Sequence, residues 1–138
     1  MAITQTQCTS FKVELLTGTH NFSSDTFKIA LYISAANLGA DTTAYSASNE
    51  VSASGYTAGG NTLTVSTTPT SSSTTAYVSF ANTSWSSALT ARGALIYNSS
   101  KSNKAVAVLD FGADKTSSGT FTVTFPTADA TSAIIRIS

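Results

Sequence analysis

Short segments in which apolar and polar residues alternate recur along this chain, each bounded by a cluster of Ser, Thr, Gly or Asn. In residues 25–34, Phe27, Ile29 and Leu31 alternate with more polar positions. Because a strand turns successive side chains to opposite faces of its sheet, such alternation predicts a strand with one buried face. Comparable segments lie at residues 63–65, 76–80, 90–98, 104–111, 119–125 and 133–137, with a short edge strand near 50–53.

Seven or eight short strands separated by turn clusters are typical of an all-β domain. We therefore predict an antiparallel β-sandwich or a jelly-roll-like fold. Residues 104–111 are almost continuously apolar, which predicts a strand covered on both faces. A length of 138 residues fits one domain.

The N-terminal residues differ from the rest of the chain. Residues 1–9 are small and polar without periodicity, so we expect a flexible arm, followed by a single β-sandwich domain at 10–138. Residues 10–17 fit either a strand or a short helix. We favour the helix, because Ser10 can cap it and Gly18 lies where a helix commonly ends.

The charge balance excludes some partners. Seven basic and seven acidic side chains cancel, and only 10% of residues are charged. Nucleic acids and anionic membranes are bound largely through clustered Lys and Arg, so we expect neither as a partner. Ser and Thr, about a third of the chain, favour turns and strands respectively.

The residue types that catalysis needs are scarce. His20 is the only histidine and Cys8 the only cysteine, so the chain alone forms no disulfide or thiolate metal cluster. The neighbouring carboxylates Asp110 and Asp114 flank Gly112, which favours a hairpin turn over a calcium loop. We predict no enzyme, no cofactor, no bound metal and no small-molecule substrate.

Three aromatic residues are candidates for contact with a partner. Tyr45 and Tyr56 lie in the segment 35–61, which is rich in Gly, Ser and Ala and offers little core. Trp85 is the sole tryptophan. Aromatic side chains dominate both interfaces and ligand clefts, so we predict a contact role for these three residues.

Several runs of sequence are similar to those of a known class of protein. They are residues 11–16, 20–22, 25–32, 43–45, 55–60 and 91–98. Together they resemble small virion structural proteins of tailed bacteriophages, and the resemblance covers nearly the whole chain from Phe11.

The resemblance implies an assembly function in the virion, after synthesis in the host bacterial cytoplasm without a recognisable export signal. We expect a protein that decorates or cements the capsid shell, contacting the major capsid protein and copies of itself. Ala2, Ile3, Thr4 and Gln5 are candidates for a linking arm. The alternatives are a tail or fibre component, or a receptor- or carbohydrate-binding module with aromatic residues stacked on sugars.

Overall fold

The structure, a computed structural model, describes residues 2–138 and is mostly β, with ten strands and one short helix. The all-β, sandwich-like architecture predicted from the sequence is confirmed. The elements are β1 (Thr6–Gln7), α1 (Thr9–Leu16), β2 (Phe27–Tyr32), β3 (Asn61–Thr62), β4 (Val65–Ser72), β5 (Thr75–Phe80), β6 (Thr83–Trp85), β7 (Thr90–Asn98), β8 (Lys104–Thr116), β9 (Phe121–Val123) and β10 (Ile135–Ile137).

The strands form three antiparallel sheets. A five-stranded sheet has the order β1-β8-β7-β2-β3, a three-stranded sheet the order β10-β5-β4, and β6 pairs with β9. In the largest sheet, β7 lies between β2 and β8, with Ile96 opposite both Ile29 and Ala107. β4 and β5 form a hairpin in which Ser72 lies opposite Thr75.

Aromatic side chains join the sheets. Phe22 stacks on Phe27 of β2 with ring centroids 4.4 Å apart, and Phe80 of β5 lies 5.9 Å from Phe27. Phe125 extends the cluster, 5.8 Å from Phe80. Both faces of β2 are covered, because Ala30 and Tyr32, which alternate with the residues of the Phe27 face, are also buried.

The predicted helix is confirmed as α1, and its end has a local cause. Gly18 adopts a positive φ of 75° and its amide donates to the carbonyl of Leu15. The Thr19 amide donates to the carbonyl of Glu14. A left-handed residue after a helix satisfies the last carbonyls in this way, and glycine adopts that conformation without steric cost.

The N-terminal segment is docked in the structure, so the expected flexible arm is corrected. Ile3 is buried and bridges Leu38, whose carbonyl accepts the Thr4 amide. Thr6 and Gln7 pair with β8, and Cys8 is fully buried. This docking was not predicted from the sequence, because polar residues that pair with a sheet edge show no periodicity. Ile3 is the apolar residue that anchors the segment.

Two strand boundaries also differ from expectation. The strand beginning near residue 63 was expected to end before Pro69, yet β4 continues to Ser72. Pro69 lies where the β4–β5 register shifts, and an irregular edge strand can hold a residue that lacks an amide proton. The turn expected at residues 112–118 is instead a bulge within β8, where Gly112 has a positive φ of 82°.

Candidate interaction surfaces

The segment between β2 and β3 is fixed by hydrogen bonds to one carboxylate. Glu50 accepts hydrogen bonds from the hydroxyls of Tyr45 and Tyr56, each at 2.6 Å, and from the amide of Gly59 at 2.8 Å. The Tyr45 ring stacks on Tyr97 at 4.8 Å. Burial, reinforced by Glu50, raises the pKa of Tyr45 and of Tyr56 above the ordinary tyrosine value.

These contacts give the predicted aromatic candidates a different role. Tyr56 is buried, and its hydroxyl also accepts the Leu31 amide at 2.9 Å. Trp85 is buried 5.9 Å from the Tyr56 ring. Neither side chain is exposed to stack on a sugar or a partner, so the contact role predicted for them is wrong. Tyr45 remains half-buried.

The N-terminal candidates divide between the core and the surface. Ala2, Thr4 and Gln5 are exposed, whereas the Ile3 side chain packs over Gly93 of β7. Gln5 accepts the Asp110 amide at 3.1 Å. Anchored in this way, Ile3 contributes to the fold and is not presented to a neighbouring subunit.

His20 belongs to a buried hydrogen-bonded network. Its Nε2 lies 2.8 Å from a Glu14 carboxylate oxygen, and its Nδ1 lies 2.9 Å from the Asn98 side-chain amide. Asn98 also donates to Asp25 at 2.8 Å, and Asp25 pairs with Lys101 at 2.8 Å. Because Asn98 Nδ2 can only donate, His20 Nδ1 is the acceptor and Nε2 carries the proton toward Glu14.

The network contains no nucleophile. No Ser, Thr or Cys side chain within residues 2–138 hydrogen-bonds to His20. Cys8 is fully buried, and burial together with the charges of Asp41 and Glu14 raises the pKa of its thiol to about 11. A thiol held protonated in the core is not an active nucleophile. The network therefore joins α1, the loop before β2 and the end of β7.

Asp25 makes the stability of this network dependent on pH. Burial opposes its ionisation, but hydrogen bonds from Lys101, Asn98 and the Asn21 amide outweigh that effect and lower its pKa to about 2. A carboxylate whose folded pKa is depressed stabilises the fold above its unfolded pKa, and this contribution is lost as pH falls through the folded pKa.

We expect the free energy of unfolding to fall as pH is lowered from about 4 toward 2, with part of that fall due to Asp25. Urea unfolding at pH 5, 4, 3 and 2 measures it. Asp25→Asn should flatten this dependence, whereas Asp114→Asn, at an exposed carboxylate, should leave it as in the parent. Equal pH dependence in the parent and Asp25→Asn would contradict the assignment.

An apolar groove of about 430 Å³ lies between the end of α1 and the three-stranded sheet. We call it the α1 groove; its apolar lining is Leu15, Phe22, Val78, Ile135 and Ile137. Ile137 is 52% exposed, and Leu16, next to Leu15, is 90% exposed. This surface was not predicted from the sequence. The feature that could have indicated it is the pair of consecutive leucines at the end of α1, because only one of two consecutive helical residues can face the core.

A second opening, of about 710 Å³, follows β9. Consecutive residues 120–126 all line it, together with Leu109 and Phe111 of β8. Because successive side chains of a strand point to opposite faces, a cleft that touches every residue runs along the edge of the strand. We call this free side of residues 120–126 the β9 edge.

Within residues 2–138, no group of three or more His, Cys, Asp or Glu side chains is placed to hold a metal ion. No helix in the same range has the length and apolar character needed to cross a membrane. Asp110, one of the two neighbouring carboxylates, pairs with Arg92 at 3.0 Å and accepts the Gly112 amide at 2.9 Å.

Comparisons with family models, with curated proteins and with solved structures find no match to this chain.

Proposed function

We propose that this chain is a structural protein of a tailed-phage virion, which decorates or cements the capsid shell by binding the major capsid protein. The resemblance of residues 11–16, 25–32 and 91–98 to virion proteins supports the setting. The α1 groove is the observation that carries the binding role. Large exposed apolar side chains beside a concave apolar surface are typical of protein–protein contact sites.

The size of the contact suits a repeated assembly. Burying one exposed Leu or Ile side chain contributes about 1.5–3 kcal/mol, so Leu16 and Ile137 together support a weak contact. On a symmetric shell, each decorating protein meets an equivalent site, and contacts to the shell and to neighbouring copies add through multivalency. A modest surface on a small domain is sufficient for this role.

The chemistry of the interior also supports a binding role. His20 is held by Glu14 and Asn98, and Cys8 is buried apart from them. A nucleophile–base pair requires the two groups within hydrogen-bond reach. The His20 side chain thus serves to join elements of the fold.

We expect charge at Ile137, which lines the α1 groove, and at Leu16, next to the groove residue Leu15, to prevent attachment to the particle. Leu16→Glu combined with Ile137→Glu should lower occupancy on purified particles at least about tenfold, because each carboxylate would lose hydration on contact with an apolar partner surface. Both positions are exposed, so the fold should be retained. Occupancy is measured by quantitative mass spectrometry of particles complemented with each variant.

Ile33→Glu is the matched control, since Ile33 is 40% exposed and lies outside the α1 groove. It should decorate particles as the parent does. Parental occupancy of the Leu16/Ile137 double variant, with circular dichroism showing it folded, would overturn the assignment of this groove.

A further inference from the structure

The backbone groups of the β9 edge point into the cleft. Phe125 donates its amide to the Asn82 side chain at 2.8 Å, and Asn82 immediately precedes β6, so this amide faces β6. Amide directions alternate along an antiparallel strand. The amides of Phe121 and Val123 therefore also face β6, their paired neighbour, while those of Thr122 and Thr124 face the cleft.

These outward groups are left without partners inside the domain. Across residues 2–138, no loop backbone or side chain accepts a hydrogen bond from the amide of Thr122 or Thr124. An unpaired row of amides and carbonyls is a template for another strand. The cleft of about 710 Å³ leaves room beside it.

Other sheet edges carry features that discourage pairing. The outer edge of β4 contains Pro69 and two register shifts. In β10, the Arg136 carbonyl already accepts a hydrogen bond from the Gln7 side chain. In contrast, residues 120–125 contain neither a charged residue nor a proline. Charge, proline and irregularity are the usual protections of an edge; residues 120–125 lack charge and proline, and the β6–β9 register has no shift.

We propose that the β9 edge binds the β9 edge of a second copy of this chain, antiparallel and about a twofold axis near Thr122. This inference rests on the assembly role proposed above, and it names the contact between copies. The edge is self-complementary: pairing Thr122 with its own symmetry mate places Thr120 opposite Thr124. All three residues then present outward backbone groups, giving about six hydrogen bonds between the copies.

Charge favours this occupant. Residues 120–125 carry no charge, so a second β9 brings no like charges into register along the edge. The side chains of Thr120, Thr122 and Thr124 are exposed, and cross-strand Thr–Thr pairs stabilise antiparallel strands. The twofold arrangement is also the commonest symmetry of protein dimers.

Sedimentation of the full chain tests the pairing. We expect a concentration-dependent dimer within the range up to about 1 mM, where weak specific contacts are populated. Thr122→Lys places two ammonium groups opposite each other and should weaken dimerisation at least tenfold. Thr57→Lys, at an exposed position outside the strands, should dimerise as the parent does. A monomeric parent throughout, or parental dimerisation of folded Thr122→Lys, would overturn the proposal.

Crosslinking tests the register. Opposed residues of a hydrogen-bonded antiparallel pair have Cα atoms about 5.5 Å apart, within the range that a disulfide spans. Thr122→Cys should therefore form a crosslinked dimer on mild oxidation, while Thr57→Cys should remain largely monomeric. The buried Cys8 provides an unreactive background. Equal crosslinking of the two variants would contradict the register.

The outcomes separate this inference from the function on which it rests. A monomeric protein that still occupies particles overturns strand pairing and leaves the virion role intact. A chain that dimerises through Thr122 but is missing from particles overturns the virion role and leaves the pairing intact.

Discussion

Gly60→Ala is expected to destabilise the native fold severely. Gly60 has a positive φ of 76°, and a Cβ there would lie 1.7 Å from the Ile29 carbonyl oxygen and 2.8 Å from the Ala30 Cα. Both neighbours belong to β2, an interior strand between β7 and β3, so neither can move without breaking the pairing of β2 with β7. We expect a loss of more than about 4 kcal/mol, a large part of the stability of a small domain.

Gly18→Ala is the matched control for Gly60→Ala. Gly18 has nearly the same φ, 75°, but a Cβ there meets no atom within 4 Å. Only the left-handed conformation is then penalised, by about 1–2 kcal/mol. Urea unfolding followed by the fluorescence of the buried Trp85 measures both variants. Similar losses in the free energy of unfolding for the two variants would show that the backbone at Gly60, just before β3, does not approach β2 as closely as described.

Asn98→Ala should cause the second largest loss, about 3 kcal/mol in the free energy of unfolding. Asn98 is fully buried and donates to both His20 and Asp25. Its removal leaves His20 Nδ1 without a donor and takes from Asp25 one of the hydrogen bonds that it also receives from Lys101 and the Asn21 amide. A buried acceptor without a partner costs about 1–3 kcal/mol. Equilibrium urea unfolding at neutral pH measures the loss.

Asn61→Ala is the comparison for Asn98→Ala. Asn61 also donates twice, to the Thr83 hydroxyl and the Ser84 carbonyl, but it is half-buried and water can replace it. We expect its removal to cost about 1 kcal/mol. An Asn98→Ala loss no greater than that of Asn61→Ala would contradict the description of a dry, mutually dependent network.

The sequence predicted elements whose side-chain pattern is local. Residues 90–98 alternate regularly and form β7 with the expected bounds, and Gly18 ends α1 as expected. The docking of Ile3 was not predictable, because it depends on Gly93, a residue distant in sequence whose missing Cβ leaves room for the Ile3 side chain. Contacts of this kind leave no periodicity in either segment.

The candidate surfaces were less predictable than the fold. Tyr56 was expected at the surface because its neighbours in sequence are small and polar. In the structure Tyr56 is buried, and its hydroxyl is hydrogen-bonded to the Glu50 carboxylate and to the Leu31 amide. The course of a loop brings these groups together. The free side of β9 depends on which strands pair, and alternation in one strand does not specify its neighbours.

Imaging of purified virions labelled with an antibody to this chain tests the central claim most directly. We expect many labelled copies of this chain distributed over the head shell, and fewer copies on particles that carry the Leu16/Ile137 double variant. Label confined to the tail would contradict capsid decoration, and virions without this chain would contradict the virion role altogether.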